Sequence, residues 1–184
     1  MNHITLILGF TVTLFGQRLE TALDEKSGKP MLVGIAVRAD IMKDSYGEWY
    51  ALEYEDYEID NDLVTASRDF LDSTEVQVFL GTWCEDSRRE VPRFFKILDE
   101  MGWSENQLQM IMLDRNKTSG YGLEKDKNIH HVPTFVVYKK RQEIGRIVET
   151  PIETLEEDLF NILIGDPPTP NYAEWKPERK IELC

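Results

Sequence analysis

The stretch Val76-Gln77-Val78-Phe79-Leu80-Gly81-Thr82-Trp83-Cys84-Glu85-Asp86-Ser87 restricts the fold more than any other. An apolar run of strand length ends on Gly81, and a helical pattern then begins with Val91, Phe94, Phe95, Leu98 and Met101 on one stripe. Cys84 is therefore expected where a buried strand hands over to a helix. Unpaired backbone N–H groups and the positive end of the helix dipole at such a place favour a thiolate. The thiolate is the attacking form in disulfide exchange, so position alone implies chemistry. The competing reading is a buried, inert residue, because free cysteine is often simply core.

The remaining elements follow from period and punctuation. Asp60-Asn61-Asp62 caps a helix bearing Leu63, Ala66, Phe70 and Leu71, and Gly102 ends the helix after Cys84. Leu108–Leu113 reads as a strand closed by Asp114, and a polar stretch over 115–128 follows. Val132-Pro133-Thr134 then opens the run Phe135–Tyr138, which forms a hairpin with Ile144–Val148. Thr150-Pro151-Ile152-Glu153 matches a capping box and opens a helix with Ile152, Leu155, Leu159 and Ile162 on its buried face. Upstream, Met31–Val37 reads as a buried strand after a turn at Lys26–Pro30. Between Glu48 and Asp62, Tyr50, Leu52 and Tyr54 alternate with Ala51, Glu53 and Glu55, the pattern of a half-exposed strand. That segment is either a partner-docking surface or an extended piece pinned to the domain by Trp49, Tyr50, Tyr54 and Tyr57.

Composition excludes several classes. The formal charge of -13 leaves no basic stripe for nucleic acid or an anionic membrane, and solubility accounts for the acidity. Two cysteines, Cys84 and Cys184, make no disulfide scaffold, and His3, His130 and His131 complete no zinc set. Residues 1–17 carry no charge. Their apolar core, Ile4–Gly16, falls short of the ~20 residues that span a bilayer but suits a signal peptide. Cleavage after Gly16 leaves Gln17 first and sends the chain to the periplasm or outside; uncut, the segment is a buried N-terminal strand and the chain stays cytoplasmic. The expected organisation is a signal peptide over 1–16, an N-terminal extension over 17–60, a folded domain over 61–165 and an extended Pro-rich tail over 166–184.

Trp83-Cys84-Glu85-Asp86-Ser87 and Val132-Pro133-Thr134 together resemble the thioredoxin superfamily, whose motifs are Trp-Cys-x-x-Cys and a cis-proline loop beside the thiol. The likeness covers about residues 61–165. It implies an α/β thioredoxin-like fold, a central mixed sheet with helices on both faces, with the chain before it added as an extension. It also implies a cis Val132–Pro133 bond. Pro92 stands where the family kinks its active-site helix, Asp114 closes its strand as an Asp does there, and Trp83 shields the thiol. Two departures agree with each other: Ser87 replaces the resolving cysteine, and Val78 replaces the buried acid that moves protons for it.

The resemblance thus implies a monothiol thiol–disulfide oxidoreductase or isomerase of cell redox homeostasis, acting on protein or mixed disulfides. Cys84 attacks, Ser87 donates a hydrogen bond to its thiolate, and Trp83, Val132, Pro133 and Thr134 hold the substrate chain. Glu85, Asp86, Arg88 and His131 are expected modulators: the cation stabilises a thiolate and the two acids oppose it. His130 and His131 either lie near the sulfur as acid–base groups or form a loop pair without a role. Cys184 is either a resolving or guarding thiol that a flexible tail brings to the site, or a chance cysteine. No bound cofactor is expected; an external thiol, glutathione or a partner dithiol protein, completes the cycle. The alternative is a non-catalytic peptide-binding or chaperone module on the same fold. A glutathione-using glutaredoxin-like carrier ranks last, because Cys84-Glu85-Asp86-Ser87 does not match that family's Cys-Gly-Phe-Ser.

Overall fold

Val76, Val78 and Leu80 alternate with Gln77 and Phe79, so a strand here buries both faces. In the computed structural model, which describes residues 19–174, this run is a central strand of a six-stranded mixed sheet. The expected signal segment, Gln17 and Cys184 lie outside the described residues. The strands are β1 (Glu20–Asp24), β2 (Lys29–Ala36), β3 (Thr74–Leu80), β4 (Leu108–Met112), β5 (Thr134–Lys139) and β6 (Gln142–Val148), in the order β1-β2-β4-β3-β5-β6. β3 and β4 run parallel, with Val78 beside Met110, and β5 and β6 form the antiparallel hairpin against β3. β2 joins β4 antiparallel, with Gly34 opposite Met112. The extension therefore supplies two strands of the same sheet.

The helices are α1 (Arg38–Ile41), α2 (Asp44–Asp56), α3 (Asn61–Ser67), α4 (Glu85–Met101) and α5 (Leu155–Ile164). Their core side chains, among them Ile41, Tyr50, Val64, Phe94, Leu98 and Leu159, share one cluster with Val76, Val78 and Leu80. Phe94 and Phe135 meet there with ring centroids 4.3 Å apart. The opposite face carries Phe79, Ile111, Leu113 and Val136, covered by Leu123, Ile129 and Val132 from an irregular segment. The expectation of helices on both faces is thus corrected. Positive φ at Lys117, Gly120, Gly122, Asp126 and Asn128 breaks that crossover into turns.

Three local expectations are also corrected. Tyr50, Leu52 and Tyr54 lie on α2, not on a strand. Tyr50, Tyr54 and Tyr57 are spaced four and three apart, the step that stacks side chains on one helical face. Tyr50 and Tyr54 stack at 5.7 Å, and Arg93 of α4 reaches across to Glu53 at 2.6 Å, so this face is packed on the domain. Asp60 caps α3 as expected, but Val64 and Ser67 are the residues α3 buries. The last helix begins at Leu155, because the sequence holds a second Thr-x-x-Glu match at Thr154–Glu157. Thr154 Oγ accepts from the Glu157 N–H, while Asp158 accepts the N–H groups of Ile152 and Glu153 and keeps that turn out of the helix. Ile152 stays exposed.

The tail does not run free over its described part. After Gly165 ends α5 in the left-handed region, Asn171 donates to the carbonyls of Thr150 and Val148, and Tyr172 stacks on His131 at 3.8 Å. Phe94→Ala removes a ring that is fully buried against Phe135 and should lower unfolding free energy by about 3–5 kcal/mol in urea titration.

Candidate functional site

The C-terminal ends of the parallel pair β3 and β4 lie side by side, with the Leu113 N–H donating to the Leu80 carbonyl at 2.8 Å. Open sheets place ligand chemistry at such an edge. From Leu80 the chain turns through Gly81–Cys84 into α4, and each residue of that turn is tied. Gly81 donates its N–H to Ser87 Oγ at 3.2 Å and accepts from the Cys84 N–H at 2.9 Å. Thr82 Oγ1 accepts from the Leu32 N–H of β2 at 3.1 Å, and its carbonyl accepts from Arg88 Nε at 2.7 Å. Trp83 Nε1 donates to the Leu113 carbonyl at 2.8 Å. A Cβ on Gly81 would stand 2.6 Å from the indole, so only glycine lets Trp83 fold back over the strand end.

Cys84 is the N-cap residue of α4 and is half-buried. Its Sγ donates to the Val132 carbonyl at 3.1 Å, which brings the sulfur against the loop containing the cis Val132–Pro133 bond. The two sequence motifs, far apart in the chain, thus meet at the sulfur. Val132 and Thr134 are buried, and Thr134 Oγ1 donates to the His131 carbonyl at 2.8 Å. Ser87 corrects an expectation. Its hydroxyl is fully buried and accepts from Gly81, and it forms no hydrogen bond with Cys84. The first turn of α4 aims Ser87 inward under the strand end, where the Gly81 N–H needs an acceptor. Pro92 lies inside α4 without ending it, as packing on Val91, Phe94 and Phe95 holds both sides.

The expected modulators divide. Glu85 is exposed on the first turn of α4. Asp86 and Glu90 both pair with Arg89, at 2.7 and 2.6 Å, so the two acids are largely answered within the helix. Arg88 spends its Nε on Thr82 and acts on the turn. His131 faces the tail through Tyr172, whose hydroxyl donates to Glu149 and is thereby held above the ordinary phenol range. Desolvation, then the neighbouring His131 and Arg146, push His130 below the usual imidazole range. A cavity of about 670 Å³ opens between hairpin and tail, lined by His130, His131, Thr134, Arg146, Asn171 and Tyr172 among others. Among the described residues, no three His, Cys, Asp or Glu side chains are placed to hold a metal, and no helix is long and apolar enough to cross a membrane.

Sequence reasoning missed the groups on the other side of Trp83. Asp114 accepts the Thr118 N–H and hydroxyl at 2.8 and 2.9 Å and donates its own N–H to the Thr118 carbonyl, closing a tight turn. That turn holds the Arg115 guanidinium 4.7 Å and the Lys117 ammonium 5.2 Å from the Trp83 ring, within cation–π range. Arg115 is gripped from behind by Asp24, bidentate at 2.5 and 2.8 Å, with Asp24 also accepting from Lys26 and Ser27. The only advance signal was two cations flanking Asn116 just past a strand end.

No family model and no curated protein matches the sequence. Among solved structures, a protein of unknown function from Pseudomonas aeruginosa is similar at 13% identity, with a TM-score of 0.54 over 70% of this chain and 91% of its own. That likeness speaks for the fold alone. An HIV epitope scaffold matches at 14% identity and a TM-score of 0.38, over 66% of this chain and 99% of its own.

The Asp24–Arg115 pair makes a pH prediction. Hydrogen bonds from Arg115, then Ser27, hold the Asp24 carboxyl well below the ordinary carboxylate range. A carboxyl whose folded value is depressed stabilises the fold above its unfolded value of about 3.9 and loses that contribution progressively as pH falls from there through the folded value. Asp24→Asn should therefore be less stable than wild type at pH 7, and the gap between their melting midpoints should begin to narrow as pH falls below about 5 and go on narrowing down to the depressed folded value.

Proposed function

We propose that the chain is a thioredoxin-like monothiol protein that carries out thiol–disulfide exchange on protein or mixed disulfides through Cys84. One observation carries the reading: Cys84 caps the N-terminus of a 17-residue helix, half exposed, with its sulfur 3.1 Å from the Val132 carbonyl. Backbone N–H groups at the start of α4 and the dipole behind them oppose the cost of a negative sulfur. The Val132 bond belongs to the protonated thiol, so ionisation gives up that bond and frees the sulfur to attack. The sheet order, with its parallel β3–β4 pair and antiparallel β5–β6 hairpin, is compatible with the family resembled.

In the cycle, Cys84 Sγ attacks one sulfur of a substrate disulfide. The S–S bond breaks, a Cys84–substrate disulfide forms, and the second substrate sulfur leaves as a thiolate with the bonding electron pair. Ser87 has no sulfur to release the substrate, so an external thiol, glutathione or a partner dithiol, attacks the substrate sulfur of the mixed disulfide, forms a disulfide with it, and expels Cys84 as a thiolate with the bonding electron pair. Trp83 and the Val132-Pro133-Thr134 loop flank the sulfur and give the substrate chain its resting place.

A second reading, a peptide-binding module without chemistry, draws on the occupied state of the Cys84 thiol, which is already bonded to Val132. Alkylation separates the two. In a Cys184→Ser background at pH 7, iodoacetamide should modify folded Cys84 faster than a free cysteine. A Cys84 that reacts only after denaturation contradicts exchange chemistry and leaves the binding module.

A further inference from the structure

Charge around the Cys84 sulfur is distributed unevenly. On the α4 side Glu85 is exposed on the first turn, Asp86 is paired with Arg89, and Arg88 is turned to the Thr82 carbonyl. On the Trp83 side stand Arg115 and Lys117, both against the indole ring. In a chain of formal charge -13, two cations converging on the residue next to the reactive sulfur stand out from the background. Neither is held there by accident of a mobile side chain. Asp114 closes the turn that carries them, and Lys117 takes a left-handed φ of 61° within it. Lys117 Nζ donates to the Arg115 carbonyl at 3.2 Å and, among the described residues, forms no ion pair with a carboxylate. Asp24 sits behind Arg115, its side chain 2% exposed, while the Arg115 side chain is 33% exposed. The carboxylate therefore fixes the guanidinium without covering its outer face. Hydrogen bonds to Asp24 hold Arg115 above its ordinary range.

We infer that Arg115 and Lys117, mounted on Trp83, form a subsite for an anionic group next to the disulfide that Cys84 attacks. This rests on the exchange reading above and names its substrate class: disulfides with a carboxylate close to the sulfur. The cations attract the anion into the cleft and orient it. Glu85, exposed on the first turn of α4, opposes it from the other side, so the carboxylate end of the substrate lies over Trp83. The covalent step is unchanged. Cys84 Sγ forms the new S–S bond, the old one breaks, and the leaving thiolate carries off the electron pair, with the substrate disulfide as the oxidant.

The test compares two disulfide probes on the full chain in a Cys184→Ser background. One is the aromatic disulfide of thionitrobenzoate, which carries a carboxylate on each half. The other is the uncharged disulfide of thiopyridine. The rate ratio of anionic to neutral probe is measured for the protein and divided by the same ratio for free cysteine. The normalised ratio should exceed one, fall by about twofold to fivefold in Lys117→Gln, as expected for loss of one half-buried charge, and recover in Lys117→Arg. It should fall in the same range in Arg115→Gln. Raising salt to about 1 M, where screening acts within about 3 Å, should shrink the wild-type ratio towards that of the variants. Since Arg115→Gln strips the buried Asp24 of its partner and risks misfolding, Lys117→Gln decides the matter by itself. A ratio that Lys117→Gln leaves unchanged, or that is no larger than for free cysteine, overturns the subsite while leaving exchange chemistry standing. Failure of folded Cys84 to react with either probe overturns both.

Discussion

The turn from β3 into α4 is the constraint on which the site depends. Within Gly81–Cys84 the chain must leave a strand buried on both faces and start a helix buried along most of one side, without orphaning a polar group. It does so by borrowing partners from elsewhere: Ser87 for the Gly81 N–H, Leu32 for the Thr82 hydroxyl, Leu113 for the Trp83 indole, Val132 for the Cys84 sulfur. Each net hydrogen bond is worth only about 0.5–1.5 kcal/mol, but leaving a buried group unpaired costs about 1–3 kcal/mol. The network therefore acts mainly by exclusion, as any other path for the turn strands one of these groups. The sulfur's position follows from the fold's need to satisfy its backbone.

Seen from that turn, the first part of the chain is structural to the site. β2 supplies the Leu32 N–H that holds Thr82, and the end of β1 supplies Asp24, which fixes Arg115. α2 braces α4 from outside through Arg93–Glu53 and through Lys96 to the carbonyls of Glu55 and Tyr57. Arg38 of α1 reaches Asp99 near the far end of α4 at 2.7 Å. Exposed pairs of this kind contribute little singly. What they add is orientation, since α4 is gripped along its length while its N-terminus stays open at Cys84.

The sequence made the central elements legible because their signals are strong and singular. The Val76–Leu80 run, the α4 stripe and the β5–β6 hairpin each match one period, and Cys84 at a strand-to-helix junction follows from two adjacent periods. The misreadings came where two patterns coexisted. Tyr50, Leu52 and Tyr54 alternate, yet Tyr50, Tyr54 and Tyr57 also follow helical spacing, and packing against α4 favoured the helix. Thr150 and Thr154 both open a capping box, and the Asp158 carboxylate decided for the second. Ser87 was read as a partner of the sulfur because it stands in the motif where the resembled family has its second cysteine, but helix geometry turns it inward to Gly81. Arg115, Lys117 and Asp24 were invisible because their meeting at Trp83 depends on strand order and on a turn closed by Asp114. Neither has a sequence period.

Mixed-disulfide formation tests the account most directly. The folded Cys184→Ser protein is incubated with glutathione disulfide, freed of excess reagent and weighed by intact mass spectrometry. The account predicts a single glutathione adduct on Cys84 that persists, because Ser87 offers no second sulfur, and that disappears when an external thiol is added. A folded protein that takes up no glutathione, while the unfolded chain does, would contradict it.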